Sequence, residues 1–368
     1  MSMKSNSKLR VAVIGGGIGG AATAVALKSI GIRADLYEQA SEIKEVGAGV
    51  GMRPPTVNYF KKWGIYGEIE RKSSRSDYME VVAANGDVLV RERWPLLTDN
   101  PEEKWARLVH RADLIEIFLN QLPTDSIHLG HRLDKIIDHG NYAEVHFENG
   151  RSIEADLVIG ADGIRSEVRS QLFSDTKPIY SGTHAYRAVV TNKEAFELVP
   201  DNTLKVYVDG RAQIYVLPLH HRNQVSFDVT IQSPDASWRP VVSPEEIVKL
   251  VDNFVDGIQK TALTVEEYTC RSVYDIDSID RWHSNCVALL GDAAHAMQHH
   301  TGQGANSAIQ DAGVLAECLQ EADSIPEALQ LYQSRRKPVT DKFQELSRQA
   351  PTQQTETAFI EKSHFEKA

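Results

Sequence analysis

A glycine-rich turn near the start of the chain joins a short apolar run to a helical segment. The apolar run, Leu9 to Ile14, is bounded by glycine and predicts a buried strand. Small apolar residues from Ala21 to Ile30 predict a helix, and Ile32 to Glu38 predicts a second strand. A strand, turn, helix and strand within about 30 residues form the frame of a dinucleotide-binding fold. This unit therefore constrains the fold more than any other stretch of the sequence.

Three glycines in the turn, Gly15, Gly17 and Gly20, each meet a steric demand of a bound dinucleotide. The first allows the tight turn, the second lets the backbone approach a pyrophosphate, and the third lets the helix pack on the strand. The phosphates then lie at the positive end of the helix. Glu38 ends the second strand, where an acid can bind the hydroxyls of a ribose without a phosphate. The alternative is a tight turn that binds no ligand.

A second motif, late in the chain, has features that a plain NAD dehydrogenase would not need. An apolar strand ends at Gly291 and Asp292, and a turn with Gly302 and Gly304 opens an apolar-periodic helix. The acid could bind a second sugar-like chain, or face the pyrophosphate through water. The positive end of the helix would face a ring that becomes anionic, as a reduced flavin does. The two motifs together predict FAD.

Composition excludes several classes of protein. The 368 residues carry a net charge of −11 and show no run of Lys or Arg, so a nucleic-acid partner is not expected. Cys270, Cys286 and Cys318 are isolated, which argues against a metal site or a disulfide scaffold. No apolar run reaches the roughly 20 residues of a membrane span, and no apolar signal region precedes Leu9. We therefore expect a soluble, cytoplasmic protein with no metal and no membrane partner.

Segments of strand–turn–helix character lie on both sides of a block of alternating, β-rich sequence. The pattern predicts an α/β fold, in which a Rossmann-like FAD-binding domain carries an inserted, mostly antiparallel β-sheet substrate domain. We expect the first domain to comprise 1–75, 109–179 and 280–350, the second to comprise 76–108 and 180–279, and 351–368 to form a peripheral C-terminal tail.

Three motifs, in this order, make the chain resemble the single-component FAD-dependent aromatic hydroxylases, which include salicylate, p-hydroxybenzoate, 6-hydroxynicotinate and urate hydroxylases. The first is the glycine turn with Glu38. The second, "GADGIRSEVR", is similar to the family's DG motif, which is associated with both FAD and the pyridine nucleotide. The third, "GDAAHAMQHHTGQGANSAIQDA", is similar to its GD motif, although Ala296 and His299 stand where the family usually has proline. The resemblance extends to about residue 345.

The resemblance implies an FAD-dependent NAD(P)H aromatic hydroxylase, a monooxygenase that acts on its substrate through a flavin peroxide. NADH or NADPH and dioxygen (O2) would be consumed, and the substrate would be a small, electron-rich aromatic or heteroaromatic ring, expected to be a hydroxylated acid. The alternatives are a reductase of the same fold without oxygen transfer, and a non-catalytic flavin- or nucleotide-binding module. We expect a monomer or a homodimer. The expected cofactor-binding residues are Gly15, Gly17, Gly20, Glu38, Gly49, Arg111, Asp162, Gly163, Asp292, Gly302, Gly304, Ala305 and Asn306.

The catalytic candidates come from one alternating strand and one loop. Arg211 and Tyr215 are four apart in "RAQIYVLP", so they are expected to share a face that looks either into the pocket or into solvent. An arginine would bind the carboxylate of an acid substrate. Tyr215 and His300, which resemble residues of the 6-hydroxynicotinate branch, would relay the phenolic proton. His295 is expected to be structural. The other candidates for the relay are His220, His221 and His299.

Overall fold

The computed structural model of the protein describes residues 9–43, 48–94 and 106–349. In chain order its strands are β1 (Val11–Ile14), β2 (Ala34–Tyr37), β3 (Gly49–Met52), β4 (Ser73–Ser76), β5 (Tyr78–Ala83), β6 (Val88–Arg93), β7 (Ala106–His110), β8 (Ile127–His128), β9 (Leu133–Asp138), β10 (Ala143–Phe147), β11 (Ser152–Ala155), β12 (Leu157–Gly160), β13 (Ile179–Val190), β14 (Leu204–Val208), β15 (Ala212–Leu219), β16 (Gln224–Gln232), β17 (Thr269–Asp275) and β18 (Val287–Leu289).

The helices lie between these strands and after the last of them. In chain order they are α1 (Ile18–Ser29), α2 (Pro54–Lys62), α3 (Tyr66–Arg71), α4 (Arg111–Asn120), α5 (Glu167–Leu172), α6 (Lys193–Leu198), α7 (Pro244–Leu250), α8 (Asp256–Leu263), α9 (Asp292–His295), α10 (Gly304–Glu321) and α11 (Ile325–Ser347).

A five-stranded parallel sheet, in the order β18-β12-β1-β2-β8, forms the first layer of the molecule. The strands β1, β12 and β18 are fully buried, as expected for a parallel sheet with both faces covered. Helix α1 is buried along most of its length and packs against α10. Its small residues allow this close packing. Because β1, β12 and β18 are parallel neighbours, their carboxyl ends meet at one edge of the sheet.

A seven-stranded sheet forms the second layer, in the order β17-β13-β16-β15-β14-β5-β6. Neighbouring strands are antiparallel except for β14 and β5. One face buries Val225, Phe227 and Val229 of β16 in a cluster with apolar residues of α6, α7 and α8. The alternate residues of the same strand therefore lie on the opposite face, which is the face of the cavity described below. Two smaller antiparallel sheets, β11-β10-β9 and β3-β7-β4, complete the strands.

The expected fold class is confirmed, because a parallel sheet that carries the glycine turn and a separate, mostly antiparallel sheet are both present. The domain boundaries stay a prediction, and the expected tail at 351–368 lies outside the described residues. No helix in the described ranges has the length and apolar character that a membrane span requires. Those ranges also hold no group of three or more His, Cys, Asp or Glu side chains placed to bind a metal ion.

Candidate active site

A cavity of about 530 Å³ lies between the carboxyl edge of the parallel sheet and one face of the seven-stranded sheet. Its volume is within the range of small-molecule sites, about 300 to 1,000 Å³. The turns that follow β1, β12 and β18 line one side, through Gly17, Gly163 and Asp292. Tyr215 on β15 and Asp228 on β16 line the other. Residues more than 250 positions apart in sequence therefore meet in one site.

The glycine turn after β1 has the geometry that its spacing predicts. Gly15 has φ of +107°, and a Cβ atom there would lie 2.4 Å from the carbonyl oxygen of Ala161. A Cβ on Gly20 would lie 1.9 Å from the carbonyl oxygen of Gly15, so only glycine lets α1 approach the strand. A Cβ on Gly17 would meet no protein atom within 4 Å. The first and third glycines therefore serve the fold, whereas the second faces the open space of the cavity.

Glu38 is held at the end of β2 by two backbone amides. The Gly16 N–H donates to Oε2 at 2.6 Å, and the Ala40 N–H donates to Oε1 at 2.8 Å. The carboxylate thus lies beside the glycine turn, where a ribose bound to that turn would place its hydroxyls. These two hydrogen bonds therefore fix the position of the Glu38 carboxylate without a bound ligand.

The turn after β12 contains Asp162 and Gly163, and Asp162 serves as its anchor. Its carboxylate accepts hydrogen bonds from Ser166 Oγ at 2.6 Å and from the backbone N–H groups of Glu167 and Val168 at 2.8 and 3.1 Å. Burial raises the pKa of this carboxyl group. Gly163 lines the cavity but Asp162 does not, so Asp162 acts on the site through the shape of the turn.

The buried guanidinium of Arg169 joins the turn after β12 to the turn after β18. It donates to the carbonyl oxygens of Ile164 at 2.6 Å and Ala293 at 2.8 Å. No local sequence pattern distinguishes this arginine from the exposed Arg165 a few residues earlier. Its role depends on a contact between residues 124 positions apart, which no local pattern reveals.

Asp292 opens α9 immediately after Gly291, whose φ of +61° requires glycine. The Asp292 side chain is exposed to the cavity, and desolvation by the surrounding protein raises the pKa of its carboxyl group. Arg111, which also lines the cavity, opposes that rise. A partly desolvated acid in this position favours a hydroxyl donor as its ligand.

His295 is structural, as expected, and belongs to a fully buried ion-paired group. Its Nε2 lies 2.6 Å from Asp311 Oδ2, and Arg336 Nε donates to Asp311 Oδ1 at 2.6 Å. The Gly291 N–H donates to the same carboxylate at 3.1 Å. These charges hold the pKa of Asp311 below its ordinary value, although its burial opposes this. The group fixes the turn after β18 to helices α10 and α11.

The first turn of α10 is held against the strand β3 by Asn306. The side-chain oxygen accepts from the Arg53 N–H at 2.9 Å and from Thr56 Oγ1 at 2.7 Å. Its nitrogen donates to the carbonyl oxygens of Gly51 at 2.8 Å and Gly302 at 2.9 Å. Asn306 therefore supports the site and does not line it, whereas Gly302, Gly304 and Ala305 do line it.

The seven-stranded sheet presents a polar row to the cavity. Tyr215 is directly opposite Asp228 on β16, and Asp228 is directly opposite Arg187 on β13. The Tyr215 hydroxyl donates to Gln213 Oε1 at 2.8 Å and lies 3.3 Å from His300 Nδ1. Burial raises the pKa of the tyrosine above its ordinary value, so the hydroxyl stays neutral at physiological pH. It is therefore a hydrogen-bonding group and not a base.

His299 and His300 lie above this row, in a short 3-10 turn before α10. His299 Nε2 lies 2.9 Å from Thr230 Oγ1, and the two imidazole rings have centroids 4.6 Å apart. Burial lowers the pKa of His300 to about 4 and that of His299 well below its ordinary value. Both rings are therefore neutral at pH 7, and in the tautomer with its proton on Nε2, His300 has an acceptor at Nδ1.

Arg211 is the sequence candidate that the structure does not bring to the cavity. The strand β15 begins one residue later, so Arg211 belongs to a turn and does not share the strand face of Tyr215. Its backbone and guanidinium both bond Asp209, and its side chain is 61% exposed. The expectation of a shared cavity face is therefore corrected. Two of the other relay candidates, His220 and His221, also lie outside the cavity lining.

The cationic residues that line the cavity come instead from other elements of the fold. They are Arg53, Arg111, Arg187 and Arg271. Asp228 also lines the cavity and was missed, because the alternation of β16 shows a polar face without showing what that face meets. Of the predicted residues, those lining the cavity are Gly17, Gly49, Arg111, Gly163, Tyr215, Asp292, His300, Gly302, Gly304 and Ala305, whereas Gly15, Gly20, Glu38, Asp162, Asn306 and Arg211 do not line it.

The residues present fit FAD. The open space over Gly17, at the N-terminus of α1, suits a pyrophosphate, and Glu38 beside it suits a ribose. Asp292 is accessible for the hydroxyls of a second chain. The backbone at Gly302 and Gly304 opens α10 toward the same space, where the positive helix end would face an anionic ring.

Comparisons with known proteins agree with this fit. The protein-family profile described as FAD binding domain matches residues 8–347. The 6-hydroxynicotinate 3-monooxygenase of Pseudomonas fluorescens is 32% identical over 348 residues, which cover 92% of this chain and 90% of that protein. The 3-amino-4-hydroxybenzoate 2-monooxygenase of Streptomyces cremeus is 29% identical over 337 residues, which cover 90% of this chain and 84% of that protein.

A solved structure shares the fold. HpxO of Klebsiella pneumoniae, complexed with FAD and uric acid, superposes with a TM-score of 0.83 at 23% identity. The superposition covers 100% of this chain and 94% of that one. The likeness therefore extends over both large sheets and not only over the glycine turn.

Proposed function

The chain belongs to the FAD binding domain family, and from this premise we propose that its substrate is a small hydroxylated aromatic or heteroaromatic acid. The resemblance read from the three motifs is confirmed. The protein is an FAD-dependent aromatic monooxygenase, with NADH or NADPH as co-substrate. The relatives favour this function over a reductase without oxygen transfer or a non-catalytic binding module. A cytoplasmic location, a monomeric or homodimeric state and the division into two domains stay predictions.

The observation that carries the proposal is the composition of one cavity. Four arginines and a Tyr215–His300 contact lie within the same space as the dinucleotide turn. FAD held by the Gly17 turn and Asp292 would supply the redox chemistry, in which NAD(P)H provides two electrons, one oxygen atom of dioxygen enters the ring and the other leaves as water. The chain itself must then bind the ring, exclude water and remove the phenolic proton.

The arginines offset the charge of an acid substrate. Arg53, Arg187 and Arg271 line the cavity from the residues after β3, from β13 and from β17, and Arg53 is buried. A guanidinium in such a position makes charge-assisted hydrogen bonds to a carboxylate or a phenolate. Apolar side chains such as Leu204 and Leu217 line the cavity beside them and suit the flat faces of a ring.

We propose that the phenolic proton moves through Tyr215 to His300. The neutral tyrosine accepts a hydrogen bond from the substrate hydroxyl, and its own hydroxyl turns from Gln213 toward His300 Nδ1, 3.3 Å away. His300 is neutral at pH 7 because its pKa is lowered to about 4. The relay requires the tautomer that carries its proton on Nε2, which leaves the lone pair on Nδ1. Removal of the proton makes the ring electron-rich.

The test is a coupling measurement on the purified holoenzyme. NADH and NADPH oxidation, dioxygen consumption and the mass of the product are measured with a panel of hydroxylated aromatic acids. Some of these rings should stimulate oxidation and gain one oxygen atom. Tyr215→Phe should lower the product formed per NAD(P)H and release hydrogen peroxide, whereas Tyr207→Phe, on the opposite face of the adjacent strand, should not.

Two results would count against these assignments. If no hydroxylated ring stimulates NAD(P)H oxidation or gains oxygen, the proposed substrate class is wrong. If Tyr215→Phe keeps the wild-type yield of product per NAD(P)H, Tyr215 has no part in the proton relay.

A further inference from the structure

A negatively charged and a positively charged side chain lie side by side on the cavity face of the seven-stranded sheet. Asp228 and Arg187 are direct cross-strand partners, and both line the cavity. Their side chains are only 16% and 26% exposed. A cross-strand ion pair is ordinary on a solvated sheet face. Here the pair faces the cavity that a ring substrate must enter.

The Asp228 carboxylate has more acceptor capacity than the protein uses. Within the described residues it accepts one hydrogen bond, from Ser226 Oγ to Oδ1 at 3.1 Å. Arg187 Nε lies 3.8 Å from Oδ2, which is beyond hydrogen-bonding distance. A carboxylate has about four lone-pair sites. Oδ2 is therefore able to accept a donor that comes from the cavity.

This carboxylate is ionised under ordinary assay conditions. Burial raises the pKa of Asp228 to about 6, and the positive charges of Arg187 and Arg111 oppose the rise. At pH 8 the group is therefore an acceptor without a proton of its own. A substrate carboxylate placed against it would be repelled, and an apolar C–H placed against it would leave it unsatisfied.

We propose that Asp228 and Arg187 together recognise a lactam edge, an N–H group next to a C=O group on the substrate ring. Asp228 accepts from the ring N–H, and Arg187 donates to the adjacent carbonyl oxygen. This inference rests on the proposed function, and it narrows the substrate class to nitrogen heteroaromatic rings such as hydroxypyridines in their keto form. The other cationic residues, Arg53 and Arg271, then bind the acid group.

Stability alone gives no reason for the pair. Burying two charges carries a desolvation cost that their attraction often fails to offset, so a buried ion pair is weak support for a stabilising role. The separation of 3.8 Å makes that attraction weaker still. A ligand N–H would use the acceptor capacity of Asp228 Oδ2, and the adjacent carbonyl oxygen would accept a hydrogen bond from Arg187.

The experiment compares each lactam with a phenol of the same shape that has a C–H group in place of the ring N–H. The lactam 6-hydroxynicotinate has an N–H where 4-hydroxybenzoate has a C–H, and 2-pyridone and phenol form the same pair without the acid group. Kd is measured from the change in flavin absorbance on titration of the holoenzyme at pH 8, together with NADH oxidation. The wild type should bind each lactam about tenfold or more tightly than its phenol.

Substitution of Asp228 should remove this preference and not merely weaken all binding. Asp228→Leu, with Asp228→Val as a second variant for the strand, removes the acceptor, so lactam and phenol should bind equally. Asp228→Asn keeps an acceptor oxygen and should retain part of the preference. Glu80→Gln is the matched control, because Glu80 is a carboxylate of the same sheet that is paired with Arg91 at 3.1 Å outside the cavity.

The outcomes separate the two proposals. If the wild type binds phenols as tightly as lactams and hydroxylates them, the proposed function stands and the lactam recognition is wrong. If Asp228→Leu and Asp228→Val still bind lactams more tightly than phenols, another residue recognises the lactam edge. The assignment of this role to Asp228 then fails. If no ring of either class binds or stimulates NADH oxidation, the proposed function fails and the recognition fails with it.

Discussion

At the scale of single residues, Glu38 shows how a side chain is made ready for a ligand. Two backbone amides hold its carboxylate beside the glycine turn. Glu38→Ala should weaken FAD binding by roughly tenfold or more, since a hydrogen bond to a charged group contributes about 1.5–3 kcal/mol. Asp292→Ala should act similarly at the other end of the cofactor. The fraction of FAD bound is measured by titration of the apoprotein with FAD.

The exposed acid Asp125 provides a control for the loss of charge. It pairs with Arg33 at 3.1 Å and is 71% exposed. Asp125→Ala should leave the affinity for FAD unchanged. Wild-type FAD affinity in both Glu38→Ala and Asp292→Ala would contradict the assignment of these acids to the cofactor.

Two further residues show what a sequence pattern does and does not reveal. The alternation along β15 correctly indicated that Tyr215 lies on a polar strand face. It wrongly included Arg211, because a turn held by Asp209 ends one residue before the strand begins. It also gave no sign of Asp228, since a polar residue at every second position looks the same on a solvated face and on a cavity face.

His300 gives a prediction of pH dependence. Its folded pKa is about 4, below the ordinary value of 6.5, so between these pH values the unfolded chain binds a proton that the folded chain does not. Stability is therefore lost as the pH falls from 6.5 toward 4. His300→Asn removes this contribution, so the unfolding free energy of the wild type relative to the variant should fall by up to about 1.4 kcal/mol per pH unit in that window.

Urea unfolding of both proteins at pH 7, 6 and 5 measures this difference. Other buried groups titrate in the same range, notably Asp228, but they are present in both proteins and largely cancel. A difference in unfolding free energy that does not change with pH would show that His300 is not desolvated as the structure indicates.

At the scale of elements, the first strand, turn and helix separate two roles of glycine that the motif combines. A Cβ on Gly17 meets no protein atom, whereas a Cβ on Gly20 would collide with the Gly15 carbonyl oxygen. Gly17→Ala should therefore fold with wild-type stability or slightly more, because alanine reduces the entropy of the unfolded chain. Its affinity for FAD should fall tenfold or more, since the methyl group enters the space that the pyrophosphate needs.

Gly20→Ala should show the opposite pattern. The helix must move away from the strand, so the variant should unfold at lower urea concentration even without FAD, by about 1–3 kcal/mol for overpacking. Thermal and urea unfolding of the apoproteins, followed by FAD titration, distinguish the two. Equal stability of Gly20→Ala and the wild type would contradict the packing role of this glycine.

Local elements were predictable because their signals are local. The periodicity and glycine punctuation around Gly15 predicted a strand–turn–helix unit, and this unit is present. The parallel pairing of β14 with β5 was not predictable in this way, because it joins segments more than 120 residues apart. The same holds for the link from Arg169 to Ala293.

At the scale of the whole molecule, the cavity lies between two layers, each of which has a hydrophobic core of its own. One core surrounds the parallel sheet, and a second lies between the seven-stranded sheet and the helices α6, α7 and α8. Turns after β1, β12 and β18 face the polar row of β15 and β16 across the cavity. A cofactor that fills this space contacts both layers, so its binding energy should stabilise both.

FAD should therefore protect both sheets from unfolding and not only the one with the glycine turn. At a hundredfold excess over Kd, a ligand that binds only the folded state adds about 2.7 kcal/mol. Amides of β12 and of β16 that exchange by global unfolding should then exchange roughly a hundredfold more slowly. Hydrogen exchange with mass spectrometry on peptides from both strands, with and without FAD, measures this.

Gly17→Ala at the same FAD concentration should lose much of the protection in both peptides, by about 1.4 kcal/mol for each tenfold loss of affinity. Protection confined to β12 would show that the two layers unfold independently, and that FAD does not link them.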